Sequence, residues 1–540
     1  KKITFLEIKE NFILIKENKI KNKISIFYLF FLFFLLSIFF LSTEFNSNPI
    51  DLFHEGQALM GGLNYELKDQ LWSGSFIVTS LFVDVLNAKI AWTVSNVQSI
   101  GSYRVYIFLI TQITTFIIFI FLFCFSNRLN LDKNLKILTF LSLSIFSFYL
   151  VQNNTLGYRE ISIFIFLIFL MKLLDTNKIS FIDTIVLGIL PLFTLLWSLD
   201  RGVFLIATYL PLLILLIINN RFKQLLGIFL TTLVSFVIFF FIIGFVEFNN
   251  FILNSINILK SSDLLNGLVH PAPFTNDQES SRASKSLIII LLNGFIIISI
   301  FFDKKINFDK NHKIFLIIFY FFAVVFYKVG VTRSDGGHIK QGTSFNLILL
   351  IYFIYYYCFN FLKEKGFLNK INKIHYKIIY FLFFIFFVFK NIPINFYENI
   401  YNFKNRYIKY IEMNDYNYLN HEEIKLINKL KILTKDESCF QIFTYETAIQ
   451  YYLKKKTCTN FFFIYSLGPK KNQLLFIDQI NIKKPKYFIT GGTYQTIGNM
   501  KGRDNFELTP KDRFPYIDQY IKQNYKVHEE IGAWKVLILK

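Results

Sequence analysis

The chain has 540 residues, 54% of them hydrophobic, with a mean hydropathy of +0.43 and a formal net charge of +21. This composition excludes an ordinary soluble domain and places the sequence among polytopic membrane proteins. The positive charge does not call for nucleic acid, because no soluble segment carries a basic stripe interleaved with stacking aromatics. The excess of Phe, Ile, Lys, Asn and Tyr reads as a compositional bias, so aromatic clusters count as core or lipid-facing surface.

Eleven apolar spans alternate with polar loops, at about 24–43, 103–126, 137–152, 156–173, 181–198, 203–219, 224–247, 286–302, 314–330, 344–362 and 376–395. Spans of about 17–24 residues match a hydrocarbon core of about 30 Å at about 1.5 Å per residue. The first is long for a signal peptide and lacks a small-residue cleavage site, so it reads as an anchor. The lysine-rich start, 1–23, is expected in the cytoplasm, because loops on that side attract basic residues. The apolar run 76–86 is short and broken by Asp84. Counting it as a span would send the lysines of 304–313 and 363–377 to the outer face, so 44–102 reads as one outer loop with interfacial helices. The expected fold class is an α-helical polytopic membrane protein of about 11 transmembrane helices with a C-terminal extracytoplasmic α/β domain. A transmembrane domain would cover 24–397 and the α/β domain 398–540.

The cations are segregated. On this topology the inner segments are rich in lysine but hold only Arg128 and Arg221, whereas the outer loops hold Arg104, Arg159, Arg201, Arg282 and Arg333. Arginine is the residue for bidentate grip on phosphate, and lysine is closer to a point charge. In a chain with ten arginines and 48 lysines, five on the outer face point to an anionic group bound there.

In chain order the first polar cluster is Asn48-Pro49-Ile50-Asp51-Leu52-Phe53-His54-Glu55-Gly56-Gln57. Asn48 suits an N-cap and Pro49 a first helical position. A helix there puts Asp51 and Glu55 on one face, where repulsion between the carboxylates would raise one pKa, as a general base requires. The competing reading has Asp51 answering the helix dipole and Glu55 solvated. Gly157-Tyr158-Arg159-Glu160, Ser198-Leu199-Asp200-Arg201-Gly202 and Thr332-Arg333-Ser334-Asp335-Gly336-Gly337-His338 follow, each an outer turn carrying an arginine with an acid. Ionisable groups at one membrane depth in three turns favour a shared site over three structural ion pairs. His54, His270 and His338 also lie in outer loops, but no two share a zinc-ligand spacing, so no metal site is assigned and a divalent metal is left open.

The inner loops are too short to house a nucleotide-sugar, ATP or dinucleotide domain, and no Gly-rich phosphate loop occurs, so no soluble cofactor is expected. An activated substrate must arrive through the membrane. From about 398 the chain reads as α/β: helix 421–432, strand 438–444, helix 445–453, strand 459–464, strand 486–490, helix 516–523 and a hairpin at 525–539. Cys439 and Cys458 start neighbouring strands, and in an oxidising compartment they read either as a disulfide or as two unrelated buried thiols.

With these residues in view, the layout resembles the type-C glycosyltransferase superfamily, in particular its bacterial members: polytopic enzymes using polyprenyl-phosphate-linked sugars on the extracytoplasmic side. The resemblance covers most of the chain and rests on the acidic first outer loop, Asp51 to Ser99, and on the α/β tail. The tail ending, Arg513-Phe514-Pro515-Tyr516-Ile517-Asp518 through Tyr525 to Trp534-Lys535-Val536-Leu537, is similar to bacterial members. The resemblance implies that Glu55 or Asp51 is the base and that Arg159, Arg201 and Arg333 hold the donor phosphate. His54, Glu160, Asp200, Asp335, His338 and His270 are further site candidates. Three residues separate Asp51 from Glu55, where the family has an adjacent or once-spaced pair, so the choice of base stays open. The implied activity moves a sugar, with inversion, from a polyprenyl-phosphate donor to a glycan, lipid or protein acceptor at the bacterial inner membrane. The alternatives are a polysaccharide ligase or polymerase using a polyprenyl-diphosphate donor, and a secondary transporter. The transporter is disfavoured by the odd span count and the lack of an inverted repeat.

Overall fold

The computed structural model describes residues 23–45, 47–175, 180–261, 270–276, 280–302, 308–332, 336–366, 373–391, 393, 395–493 and 513–540. The first helix is α1 (Ile26–Ser42), and the loop after it carries α2 (His54–Lys68) and α3 (Asn87–Ser95). A bundle follows: α4 (Ile100–Asn127), α5 (Lys133–Gln152), α6 (Ile161–Asp175), α7 (Phe181–Trp197), α8 (Leu199–Ile218), α9 (Phe222–Lys260), α10 (Ser280–Phe302), α11 (Lys310–Phe326), α12 (Gly336–Glu364) and α13 (Lys373–Asn391). Seven of these, α4, α5, α8, α9, α10, α11 with the short turn after it, and α12, are long and apolar enough to cross a membrane. The chain is mostly helical, with the make-up of a polytopic membrane protein, and carries a small sheet near its C-terminus.

The two ends of the bundle are fixed by α1. At its start, the Ile24 amide donates to the Asn127 side chain (2.7 Å) at the end of α4. At its finish, the Arg406 guanidinium donates to the Leu41 and Thr43 carbonyls (2.7 and 2.6 Å), capping the helix from the C-terminal region. The C-terminal body, here called the head, therefore sits at the end of the bundle opposite residue 24.

The head contains α14 (Phe396–Tyr401), α15 (Phe403–Ile411), α16 (His421–Leu433), β1 (Gln441–Phe443), α17 (Ala448–Leu453), α18 (Lys470–Lys483), β2 (Tyr487–Gly491), α19 (Pro515–Asn524), β3 (Tyr525–Ile531) and β4 (Trp534–Leu539). Strand order is β1-β2-β4-β3, with β1 and β2 parallel and the other pairs antiparallel. The strand expected at 459–464 is absent. The residues just before it make one isolated bridge, Phe440 to Thr457, and the segment then turns into a short 3-10 helix, Ile464–Leu467. Its backbone is bonded by side chains instead: Gln441 Oε1 accepts the Thr459 amide and Gln479 Oε1 the Asn460 amide.

Loop 44–102, expected with the membrane part, packs against the tail. Leu59, Met60 and Trp92 of the loop share one apolar core with Tyr418, Ile449, Phe462, Ile489 and Trp534 of the tail. Burial of each such side chain contributes about 1.5–3 kcal/mol, so loop and tail fold as a unit. Backbone bonds stitch the seam: Ala448 N to Leu52 O (3.0 Å), Ile50 N to Tyr418 O (3.1 Å) and Phe76 N to Asn460 O (2.7 Å). Gly56 permits this approach, because a Cβ there would stand 2.4 Å from the Ala448 nitrogen. The helix α9 bends at Gly244, which holds φ +79. Beyond the bend, Glu247 accepts the Ser73 amide (3.0 Å) and Asn254 donates to the Ile77 carbonyl (2.6 Å). Its final turns thus brace the loop.

Candidate functional site at the head end of the bundle

The first turn of α2 begins later than the sequence suggests. Asn48 and Pro49 do not open the helix; their carbonyls accept hydrogen bonds from Arg104 (3.0 and 3.2 Å). Asp51 takes the capping role, its Oδ1 accepting the Phe53 and His54 amides (3.0 and 2.9 Å). Its Oδ2 lies 2.7 Å from His54 Nδ1. Burial alone would raise the Asp51 carboxyl, but the His54 ring and the two amides outweigh it and hold the group below its ordinary range. The expectation of two carboxylates driving each other's pKa upward does not apply to Asp51, because Glu55 is turned toward a cation. Arg104 Nε and Nη2 grip its two oxygens (2.7 and 2.8 Å), and Glu55 Oε2 also accepts the Asp51 amide (2.9 Å). Glu55 is thus held by a bidentate guanidinium and a backbone donor.

One turn further along α2, Gln57 reaches the loop 76–86. Its Nε2 donates to Asp84 Oδ1 (2.8 Å) and Thr79 Oγ1 (3.1 Å). Asp84 lies in a five-residue π-turn, Phe82–Leu86, that opens α3, and its Oδ2 accepts the Val78 and Thr79 amides (both 2.8 Å). Such turns recur at functional sites. Burial pushes Asp84 up to about 6, against the lowering effect of these amides and of Arg159 nearby. The run 76–86 is therefore a folded strap across the bundle end. It is held to the turn between α7 and α8 by the bonds Leu199 N to Thr79 O (3.0 Å) and Ser80 Oγ to Trp197 O (2.7 Å).

That turn brings two of the arginine–acid pairs together crosswise. Arg201 donates from Nε and Nη2 to Glu160 Oε1 (2.9 and 2.8 Å) and from Nη1 to Asp200. Arg159 donates to Ser198 Oγ (3.0 Å) and to Asp200 Oδ1 (2.8 Å). Glu160 closes the group by accepting the Gly157 amide (2.8 Å). The arginines differ in access: the Arg201 side chain is 1% exposed and lies over the Phe326 ring, while that of Arg159 is 23% exposed. Arg201, with the buried Glu160 against it, has the geometry of an internal ion pair, and Asp200 joins it from the more exposed side. Arg159 keeps part of its guanidinium accessible.

His270 Nε2 is 2.9 Å from Tyr327 Oη, at the end of α11. His338 sits half-buried in the first turn of α12. Arg333 and Asp335 lie outside the described residues. Cys439 and Cys458 are joined by a disulfide inside the head, with Cα atoms 5.0 Å apart. Among the described residues no group of three or more His, Cys, Asp or Glu could hold a metal ion. Sequence reasoning missed the partners Arg104, Gln57 and Ser198, and treated Asp84 only as the break in an apolar run. An acid inside such a run is costly enough to have marked it as a site residue.

Compared with known proteins, the chain matches no protein-family model and no curated relative.

Proposed function

We propose that this chain is a membrane glycosyltransferase that moves a sugar from a polyprenyl-phosphate donor to a glycan, lipid or protein acceptor, inverting the anomeric carbon. The reading includes eleven spans in a bacterial inner membrane, a cytoplasmic N-terminus and a periplasmic head. The observation that carries it is the convergence, at the head end alone, of the accessible Arg159 with the capped acidic turn of α2 and the Asp84 strap. A lipid-linked sugar phosphate is already activated, so transfer needs a cation at the leaving phosphate and a base at the acceptor hydroxyl, and no soluble cofactor. Arg159 supplies the first. The disulfide in the head favours an oxidising compartment, which supports the orientation.

The test is transfer by purified protein in nanodiscs supplied with a panel of radiolabelled polyprenyl-phosphate hexoses and pentoses. Wild-type protein should release polyprenyl phosphate in step with glycosylation of acceptor or water. No release from any donor of the panel would reject the reading.

A further inference from the structure

The proposed transfer leaves the proton acceptor to be identified, and the bonding at the head end narrows it. Glu55 is held by Arg104 and the Asp51 amide. Asp84 and Glu160 are fully buried. Asp200 is shared by Arg159, Arg201 and Ser198. The His54 ring, 57% exposed beside Asp51, is more open to the outside than any of these acids.

Resting on the transferase reading above, we propose that His54 Nε2 is the base of the reaction and that Asp51 is its positioning residue. Asp51 is locked as a hydrogen-bond acceptor by the two amides it caps, so Nδ1 carries the imidazole proton toward Oδ2. That tautomer makes Nε2 the ring's accepting nitrogen. The ring plane is set from the other side by Phe53, which meets it edge to face at 4.3 Å and is itself buried in the head core. An acid that fixes the tautomer of a histidine while the histidine moves the proton is a division of labour seen in acyl-transfer triads. In the step, the acceptor hydroxyl gives its proton to Nε2 while its oxygen forms a bond to the anomeric carbon. The bond from that carbon to the phosphate oxygen breaks, and polyprenyl phosphate leaves with the electron pair. The imidazolium then returns its proton to solvent.

The experiment measures donor binding and transfer separately in His54→Ala, His54→Gln, Asp51→Asn and Glu55→Gln, with radiolabelled polyprenyl-phosphate sugar in nanodiscs. His54→Ala should bind donor as wild type does and lose at least 100-fold in transfer, and added imidazole should restore part of the rate. His54→Gln, which keeps a polar side chain at an exposed position, guards against loss of fold and should be equally slow. Asp51→Asn should lower kcat with little change in KM, and Glu55→Gln should lower melting temperature more than rate. Wild-type transfer with undiminished His54→Ala activity would overturn the assignment alone. A slow His54→Ala that imidazole does not rescue, beside a Glu55→Gln that is inactive yet binds donor, would return the base to Glu55. Absence of wild-type transfer from every donor would remove the transferase reading and this assignment with it.

Discussion

The two ends of the helical bundle solve different problems with the same residue types. At the end remote from the head, cations close helix C-termini. Arg128 donates to the Met171 carbonyl (2.7 Å), Arg221 to Leu173 (2.8 Å) and Lys136 to Asn127 (2.9 Å), with Asn311 on Leu174 (2.9 Å); Arg128 also pairs with Asp175, and Lys172 with Asp183 (2.7 Å). The carbonyls left over in the last turn of a helix, and its negative dipole end, account for the carbonyl contacts. At the head end the arginines meet carboxylates: Arg104 meets Glu55, Arg159 meets Asp200, and Arg201 meets both Glu160 and Asp200. Helix capping does not require those acids. Placing them beside buried guanidiniums costs desolvation that neutral packing would avoid. Both ends thus hold ion pairs, but among the described residues the head end alone joins two arginines and two acids into one connected network, Arg159–Asp200–Arg201–Glu160.

The sharpest way to break this comparison is to remove a carboxylate. Glu160→Gln leaves the buried Arg201 with Asp200 as its remaining carboxylate partner and should cost about 3 kcal/mol, read as a lower melting temperature in detergent. Lys136→Met at the remote end should cost about 1 kcal/mol, since it forfeits one bond to a carbonyl. Equal losses would erase the distinction between the ends. The head's own stiffness is tested next. Replacing Cys439 and Cys458 by serine should cost about 2–4 kcal/mol, because the disulfide constrains the unfolded segment between them. The loss should be seen first as proteolysis near Thr457, the residue that bonds Asn64 of α2 (3.1 Å).

Asp84 gives a pH test. Its folded pKa, about 6, lies above that of the unfolded chain, so the folded protein holds this proton more tightly. Its contribution to stability is complete below the ordinary aspartate range, declines as pH rises through about 6, and amounts to about 3 kcal/mol at most. Melting temperature measured from pH 4.5 to 7.5 should fall less steeply in Asp84→Asn than in wild type. An unchanged slope would show that the strap does not bury this acid.

The large-scale plan was legible in the sequence because hydrophobic period and length decide it. Each apolar span became a helix, and 76–86 became a strap whose last residues form the turn that opens α3. The strand runs that became β1 and β2 and the closing hairpin followed from β-rich runs punctuated by glycine and proline, whereas the pairing of β1 with β2 did not, because 459–464 read as the neighbouring strand. Two things were not legible. The loop's union with the tail depends on contacts between residues nearly 400 positions apart, such as Lys68 with Thr457 and Gly56 with Ala448, and periodicity is silent about them. The pairing inside the site was also hidden. Arg159 and Glu160 are neighbours in sequence, yet each bonds the partner in the next turn, and Glu55 is taken by Arg104 rather than Asp51. Spacing identified the residues and not their partners.

The central claim, that the head end binds the phosphate of a lipid-linked donor, is tested most directly by equilibrium binding of radiolabelled polyprenyl-phosphate sugar to matched variants in nanodiscs. Arg159→Lys keeps the charge but loses the planar fork, so donor affinity should fall at least tenfold while the melting temperature without donor shifts by less than about 1 kcal/mol equivalent. Arg221→Lys, at the capping end, should bind donor as wild type does. Equal donor affinity in wild type, Arg159→Lys and Arg221→Lys would contradict the account.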